Sequence, residues 1–204
     1  MNISPNAKAT FRDGTTGHVI RVIYDPRTAD VTHVVVQVGH LGAPRLVPVQ
    51  AIDHSDIRGL HLAMTAPEVE ACDSFRQVEY VPYDEAADPL ALNPLAGDPF
   101  ELGWPYLRPD QPVAVEEDRV PPDEIAFRRG ASVDSSDGYV GTVGAFVVEQ
   151  GSGHATHLVL HHGHLWGKRT ISIPLSATEQ MHEDYVLLSL TKEQVESLPD
   201  VPTS

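Results

Sequence analysis

The sequence predicts an all-β protein with short helices, in which a long proline-rich acidic linker joins two small tandem β-barrels. Three observations lead to this fold class: the chain repeats itself, each copy consists of short β-rich runs between turns, and the composition changes between the copies. Residues 13–41 and 137–165 align without a gap at an offset of 124. Self-similarity of this kind indicates two structural units of one type. We therefore expect one barrel over 1–72, the linker over 73–127 and the second barrel over 128–204.

Turns and strands follow the same order in both copies. Each copy opens with an Asp-Gly turn, where glycine adopts positive φ without penalty. Runs of β-branched and aliphatic residues then predict strands. These strands are expected over 19–24, 31–38, 45–49 and 59–64 of the first copy, and over 155–162, 170–175 and 185–190 of the second.

Positions kept in both copies are expected to serve the fold rather than a function. A proline occupies the same slot twice, and because it has no N–H to donate, this slot should lie on an edge strand or at a bulge. A histidine also recurs within the second strand, where a structural hydrogen bond is the expected role. The fold signature consists of Gly14, Gly17, His33, Pro48, Gly138, Gly141, His157 and Pro174.

A short capped helix is expected at the end of each copy. Thr65 is followed three residues later by Glu68, and Thr191 by Gln194. This spacing is typical of a capping box, in which the hydroxyl and the longer side chain each satisfy a free backbone N–H. Each copy is thus predicted to contain four strands and one helix that covers the barrel.

The motif order resembles that of the PRC-barrel family. Asp-Gly-x-x-Gly-x-Val is followed by an acidic turn, Thr-His-Leu-Val, Gly-His-Leu-x-Gly and Ile-Pro-Leu, and the second copy matches more closely, over 138–143, 157–160 and 173–175. In the first copy, residues 42–44 replace the Trp-Gly-Lys loop found at 166–168. The family is named for the cytoplasmic domain of the photosynthetic reaction-centre H subunit, and it also supplies the C-terminal domain of a bacterial ribosome-maturation factor. The resemblance implies two PRC-type barrels that act as assembly or docking modules, without catalytic residues or a cofactor to carry over.

Charge and composition limit the classes of partner. The net charge of −15 repels polyanions, so direct nucleic-acid binding is not expected. Hydrophobic residues make up 41% of the chain, but no stretch approaches the ~18 apolar residues of a membrane span. The N-terminus has no signal-peptide pattern, and the single Cys72 cannot form an intramolecular disulfide. A cytoplasmic protein without a membrane span is the expectation.

The linker combines the composition of an extended segment with an unusual number of aromatic residues. It holds 9 of the 17 prolines and 13 acidic residues, which favours extended, polyproline-like pieces over regular structure. Its aromatic rings either pack between the two barrels or form a docking peptide for a partner. The candidate interface combines aromatic residues of the linker with the Trp-Gly-Lys loop that only the second copy has. Its residues are Phe100, Trp104, Tyr106, Trp166 and Lys168. An unknown protein partner, or a homodimer through strand edges or this segment, is compatible with these features.

Chemical motifs in the sequence do not converge on a catalytic site. Eleven histidines suggest metal binding, but strand geometry places His157 and His161 ~13 Å apart, and only His162 and His164, ~7 Å apart, could converge. Cys72 has the context of a small buried hydrophobic residue. Neither a nucleophile elbow nor a phosphate-binding loop is present. The sequence therefore predicts neither catalytic residues nor a bound metal or other cofactor.

Three functions remain open at this point. The preferred one is a non-enzymatic interaction or assembly module of the tandem PRC-barrel type. The second is a factor linked to ribosome or RNA maturation that binds a basic protein through its acidic surface. The third is a histidine-rich metal-binding protein.

Overall fold

The structure, a computed structural model, describes residues 1–56, 58–81, 113–162 and 169–200, with only the backbone described at 79–81 and 113–115. It is mostly β-sheet with two short helices, which confirms the predicted all-β class. The chain divides into two compact units, Met1–Phe75 with Arg119–Ser204, and Arg76–Asp118. Both copies of the repeat belong to the first unit. The domain boundaries expected from the repeat stay a prediction.

Strands account for most of each copy. The first copy contains β1 (Asn2–Ile3), β2 (Lys8–Thr10), β3 (Thr16–Asp25), β4 (Asp30–Val38), β5 (Arg45–Pro48), β6 (Ile52–Asp56), β7 (Gly59–Leu62) and helix α1 (Ala66–Glu70). The smaller unit is an antiparallel pair, β8 (Arg76–Val81) and β9 (Val113–Asp118). The second copy contains β10 (Ile125–Arg128), β11 (Ser132–Ser135), β12 (Gly138–Val148), β13 (Ala155–His162), β14 (Arg169–Pro174), β15 (Thr178–Met181), β16 (Tyr185–Leu188) and helix α2 (Lys192–Glu196).

The expectation of four strands per copy is wrong, because the described residues alone form seven strands in each copy. The missed strands are short and carry little hydrophobic periodicity. β6, for example, has the sequence Ile-Asp-His-Ser-Asp, with three exposed polar side chains. Regular structure also occurs in the segment predicted as linker, where β8 and β9 pair with each other and β10 joins a sheet.

The two copies build sheets of the same topology. One sheet has the order β5-β4-β3-β2-β7-β6 and the other β14-β13-β12-β11-β16-β15. Neighbouring strands are antiparallel except for β2–β7 and β11–β16, which are parallel. Pro48 and Pro174 lie at the ends of β5 and β14, the outermost strands, which confirms the predicted edge position.

The copies exchange their first strands. β1 of the first copy pairs with β12 of the second, where Ile3 lies opposite Phe146. In the same way β10 pairs with β3, where Phe127 lies opposite Val22. The two pairings are related by the offset of 124 that relates the sequences, so each sheet is completed by a strand from the other copy.

Backbone hydrogen bonds repeat this symmetry where the copies meet. The N–H of Val31 donates to the carbonyl of Gly153 over 2.9 Å, and the N–H of Ala155 donates to the carbonyl of Ala29 over 2.8 Å. Each bond is the equivalent of the other after the copies are interchanged. A pseudo-two-fold axis therefore passes between the copies, as in a symmetric dimer.

One hydrophobic core extends through both copies. The rings of Tyr24, Phe127 and Phe146 lie 5.2–6.2 Å apart between centroids, and all three are buried. Ile3 and Phe127, which the exchanged strands contribute, are fully buried. Aromatic pairs at these distances add about 0.5–1.5 kcal/mol beyond the burial of their area. The buried residues of the two copies thus form one continuous cluster, beside a smaller cluster of Ile23, Val35, Phe75 and Ala126.

Both helices are five residues long, and the predicted threonines are their N-cap residues. Thr65 and Glu68 form the capping box of α1, and Thr191 and Gln194 that of α2. In the part of the chain that the structure describes, no helix has the length and apolar character needed to cross a membrane.

Candidate functional site

Three potential metal ligands meet on the hairpin β6–β7 of the first copy. His54 and Asp56 lie on β6 and His61 on β7, and one potential ligand atom from each lies within 4.8 Å of the others. His54 is directly opposite His61 in the antiparallel register. Cross-strand pairs on one face bring side chains into contact, which explains how residues seven positions apart converge. We refer to His54, Asp56 and His61 as the hairpin cluster.

The turn of this hairpin fixes the carboxylate of Asp56. Its Oδ1 accepts hydrogen bonds from the N–H of Arg58 at 2.7 Å and of Gly59 at 3.1 Å. A side chain at Gly59 is excluded, because φ is +133° and a Cβ would lie 2.0 Å from the carbonyl oxygen of Lys8. The Arg58 hydrogen bond is the main reason why the pKa of Asp56 is lowered, and the charge of His61 lowers it further. Asp56 is thus an ionised carboxylate with one oxygen held by the backbone.

The second oxygen of Asp56 faces His61. Asp56 Oδ2 lies 3.3 Å from His61 Nε2. The angle does not suit a hydrogen bond, so this buried nitrogen has no hydrogen-bond partner, although the carboxylate is close enough for an ion pair. Buried polar atoms in proteins are nearly always satisfied, so an unsatisfied nitrogen beside a carboxylate calls for an explanation.

His54 is held from the outer side of the cluster. Its ring stacks on that of His61, with the centroids 4.3 Å apart and the planes 6° from parallel. Its Nδ1 lies 2.8 Å from Asp53 Oδ2. When Nδ1–H donates to this carboxylate, the lone pair of the imidazole is on Nε2. In that tautomer, Nε2 of His54 is the ring nitrogen whose lone pair can bind a cation.

The second copy folds in the same way at this hairpin but lacks the cluster. Gln180 pairs with Leu187 in the register that His54 and His61 have in the first copy. His182 occupies the position of Asp56 and stacks on Tyr185, with the ring centroids 4.5 Å apart. Because the backbone is shared and the ligands are not, the fold does not require the hairpin cluster.

The histidines that the sequence suggested as ligands lie elsewhere and have other contacts. His154 contacts Asp30, His157 contacts Thr156, and Nδ1 of His162 contacts the carbonyl oxygen of Val140. His161 packs on Gly144, where a Cβ would lie 2.5 Å from the ring nitrogen Nε2. His164, the expected partner of His162, lies outside the described residues, so this pairing stays untested.

Sequence reasoning missed the hairpin cluster because it did not predict β6. His54 and Asp56 have the i, i+2 spacing that puts two side chains on one face of a strand, and His61 follows across a turn marked by Gly59. Sequence reasoning instead singled out residues 154–164, where five histidines occur close together. The register of the hairpin was the missing information.

The shared fold-signature residues have equivalent contacts in the two copies. Nδ1 of His33 lies 3.1 Å from the hydroxyl of Thr32, and His157 makes the same contact with Thr156 at 3.0 Å. These bonds lie within strands β4 and β13. At the Asp-Gly turns, Gly14 and Gly138 have φ of +82° and +127°.

The candidate interface residues Phe100, Trp104, Tyr106, Trp166 and Lys168 lie outside the described residues. The loop of the first copy that corresponds to the Trp166 loop is described. Its Leu41 is 98% exposed, and the side-chain amide of Gln37 donates to the carbonyls of His40 and Gly42 at the base of the loop. The first copy thus holds an apolar side chain out into solvent.

The copies also differ at a groove between them. This groove has a volume of about 650 Å³ and is lined by residues that include Tyr24, Pro26 and Glu179. On the symmetry-related side, the side chain of Gln150 donates to the carbonyl of Asp53 over 2.7 Å. Pro26 is the equivalent of Gln150 and has no side-chain amide, so this hydrogen bond has no counterpart beside the groove.

Cys72 is half-buried at the end of α1, and not fully buried as expected. Its Sγ lies 3.5 Å from the carbonyl oxygen of Glu68. Burial raises the pKa of this thiol, and the charge of Asp73 raises it further. A thiol in this state is a poor nucleophile at neutral pH.

No protein-family model and no curated protein matches the sequence.

Proposed function

We propose that this chain is a non-enzymatic interaction module of the tandem PRC-barrel type that assembles with a protein partner. The observation that carries the proposal is the strand exchange between the copies. β1 and β10 each complete the sheet of the other copy. A barrel that binds a like barrel through its strands is suited to assembly, and the duplication keeps that pairing within one chain.

The strand edges that remain point to where a partner would bind. Each sheet order has two ends, and β6 and β15 are the equivalent outer strands at the ends opposite β5 and β14. The edge of β6 is partly covered, because Ser55 accepts from the N–H of Asn2 and the carbonyl of Asp53 accepts from Gln150. β15 contributes residues to the open groove, including Thr178 and Met181. An outer strand beside a groove favours the addition of an extended segment of a partner.

Charge favours a basic partner. The chain carries a net charge of −15, and Glu179 lines the groove. Complementary charge accelerates association and makes it sensitive to salt. A basic ribosomal or RNA-binding protein is therefore the second candidate partner, and it would co-sediment with ribosomal subunits in a salt-sensitive way. We also propose a cytoplasmic location, which the single unpaired cysteine supports.

Quantitative cross-linking in the native host, with the chain at its natural level, tests the proposal. We expect one protein, or a second copy of the chain, to cross-link in a saturable manner. Trp104→Ala and Trp166→Ala should reduce this cross-linking without lowering the melting temperature, whereas Tyr139→Ala, at an exposed site on β12, should leave it unchanged. A strictly monomeric chain without a saturable partner would overturn the assembly function. Unchanged cross-linking in both tryptophan variants would remove those residues from the interface.

A further inference from the structure

We propose that the hairpin cluster is a zinc site, in which Nε2 of His54, Oδ2 of Asp56 and Nε2 of His61 bind one Zn²⁺ ion. The proposal is independent of the assembly function, because it depends on one hairpin of the first copy. It assigns a role to residues that the repeat leaves unexplained. The remaining coordination position faces solvent, since His54 and Asp56 are exposed.

The distances fit the ion. Zinc binds imidazole nitrogen and carboxylate oxygen at about 2.0–2.2 Å, so two ligands of a tetrahedral site lie about 3.4 Å apart. Asp56 Oδ2 and His61 Nε2 are 3.3 Å apart. The ligand atom of His54 lies within 4.8 Å of those of Asp56 and His61. Rotation of the His54 side chain can shorten this distance to the one that zinc requires. His54 is the side chain that would rotate, because the parallel stack does not let both ring lone pairs point at one centre.

Exposure identifies His54 as the mobile ligand. The side chain of His54 is 51% exposed and that of His61 is 28% exposed. His61 and Asp56 are therefore the two ligands that stay in place, and the more exposed side chain of His54 rotates toward them when zinc binds. Zinc would also bind the buried Nε2 of His61, which is at ion-pair distance from Asp56 but makes no hydrogen bond.

Neighbouring groups hold the ligands in the way that metal sites require. Asp53 Oδ2 lies 2.8 Å from Nδ1 of His54, so the tautomer with its hydrogen on Nδ1 donates to Asp53 and leaves Nε2 for the metal, as in metal sites where a carboxylate lies behind a bound histidine. The N–H groups of Arg58 and Gly59 hold Oδ1 of Asp56, so Oδ2 is the oxygen free to bind. The arrangement at Asp56 reduces the entropy lost on binding, because this ligand is already held.

The donor set also selects the class of metal. Two imidazoles and one carboxylate suit Zn²⁺, Ni²⁺ and Cu²⁺, whereas Ca²⁺ and Mg²⁺ need sites made almost wholly of oxygen. Zinc tolerates a tetrahedral site with three protein ligands and one water molecule. We therefore expect zinc to bind and calcium and magnesium to give no stoichiometric response.

The second copy provides the matched substitutions. His54→Gln with His61→Leu installs the residues that Gln180 and Leu187 supply at the same register, so the hairpin should still fold. The control is His18→Gln with His40→Gln, which removes another stacked histidine pair of the first copy, with centroids 5.7 Å apart. Both double variants lose two histidines, but only the first loses zinc ligands.

Isothermal titration of ZnCl₂ into the full-length chain without an affinity tag is the measurement. We expect one equivalent of zinc per wild-type chain and per control chain, and none for His54→Gln/His61→Leu with an unchanged melting temperature. Asp53→Asn should weaken binding by about tenfold. Glu179→Gln, at the position of Asp53 in the second copy, should leave the affinity unchanged.

A stoichiometric heat that survives in His54→Gln/His61→Leu would place the zinc elsewhere, for example on the acidic residues of 73–127, and would overturn the site. The absence of stoichiometric binding to the wild type would do the same. If the double variant does not fold, NMR of the wild type decides: substoichiometric zinc must shift the ring signals of His54 and His61 before those of His18 and His40. Any other order of response contradicts the proposal.

Discussion

Asp30 and His154 occupy the same position in the two copies, and they contact each other, with Oδ1 of Asp30 3.0 Å from Nδ1 of His154. Two equivalent residues meet in this way only where a two-fold axis passes between them. The pair thus marks the axis about which the first strands are exchanged. The two copies form an internal dimer in which an acidic and a basic side chain replace what would be identical neighbours in a dimer of separate chains.

The axis predicts that these two residues can be interchanged. His154→Asp brings two carboxylates together and should lower the free energy of unfolding by up to about 1 kcal/mol, the range of exposed ion pairs. Adding Asp30→His restores the pair with its members reversed, and the stability should return to that of the wild type. Urea unfolding of the wild type, the single variant and the double variant measures this. A double variant no more stable than His154→Asp would show that the two positions are not energetically equivalent.

The exchanged strands predict that the two copies unfold together. Phe127→Ala should cost about 3–5 kcal/mol and Ile3→Ala about 2–5 kcal/mol, because each removes a fully buried side chain from the shared core. Tyr139→Ala, at a residue 52% exposed, should change the stability by no more than about 0.5 kcal/mol. Urea unfolding followed by far-UV circular dichroism and by tyrosine fluorescence should give coincident single transitions. Two separate transitions, with only one of them moved by Phe127→Ala, would contradict a shared core.

Local sequence signals account for the parts of the fold that were predicted. β13 spans Ala155–His162 as expected, because a run of aliphatic residues bounded by turns defines it. The capping boxes at Thr65 and Thr191 were equally local. The strand exchange was beyond prediction, because β1 has only two residues and pairs with a strand about 145 positions away. Pairing over that distance leaves no mark on local periodicity.

Two glycines of the first copy that recur in the second are predicted to be required for different physical reasons. Gly14 has φ of +82° and open space around its Cα, so Gly14→Ala should cost about 1–2 kcal/mol through backbone strain alone. Gly17 lies so close to β4 that a Cβ would be 2.3 Å from the carbonyl oxygen of Gln37, so Gly17→Ala should cost about 1–3 kcal/mol through overlap. Asparagine tolerates positive φ better than alanine does, so an asparagine variant distinguishes backbone strain at Gly14 from steric overlap at Gly17.

The measurement is the urea midpoint of the alanine and asparagine variants at each glycine. Gly14→Asn should recover part of the stability lost in Gly14→Ala. Gly17→Asn should be at least as unstable as Gly17→Ala, because the larger side chain increases the overlap. Equal recovery at both positions would mean that backbone conformation, and not the approach of β4, determines the requirement for Gly17.

The candidate site shows a different limit of sequence reasoning. His154, His157, His161 and His162 are close in sequence, yet in the structure each contacts a different residue: Asp30, Thr156, Gly144 and Val140. The hairpin cluster involves a strand whose polar, exposed residues gave no strand signal. Comparison of the copies would have marked His54 and His61 as residues of one copy only, but their convergence depends on the hairpin register.

The helix caps predict a loss of stability in acid. Oδ2 of Asp13 accepts from the N–H of Ala66 at 3.0 Å, and a carboxylate oxygen of Glu68 accepts from the N–H of Thr65 at 2.7 Å. These backbone hydrogen bonds are the main reason why the pKa values of Asp13 and Glu68 are lowered in the folded protein. A lowered pKa stabilises the fold fully above the unfolded value, about 4, and this contribution is lost as the pH falls through the folded value.

Urea unfolding between pH 7 and pH 3 tests this origin of the acid sensitivity. Asp13→Asn should be less stable than the wild type at pH 7, and the difference should shrink as the pH falls, because protonation removes the same charge from the wild type. Thr191→Ala is the control, since it removes about 1 kcal/mol of capping from α2 without changing a titratable group, and its deficit should stay constant over the same range. A deficit of Asp13→Asn that does not change between pH 7 and pH 3 would mean that the charge of Asp13 does not stabilise α1.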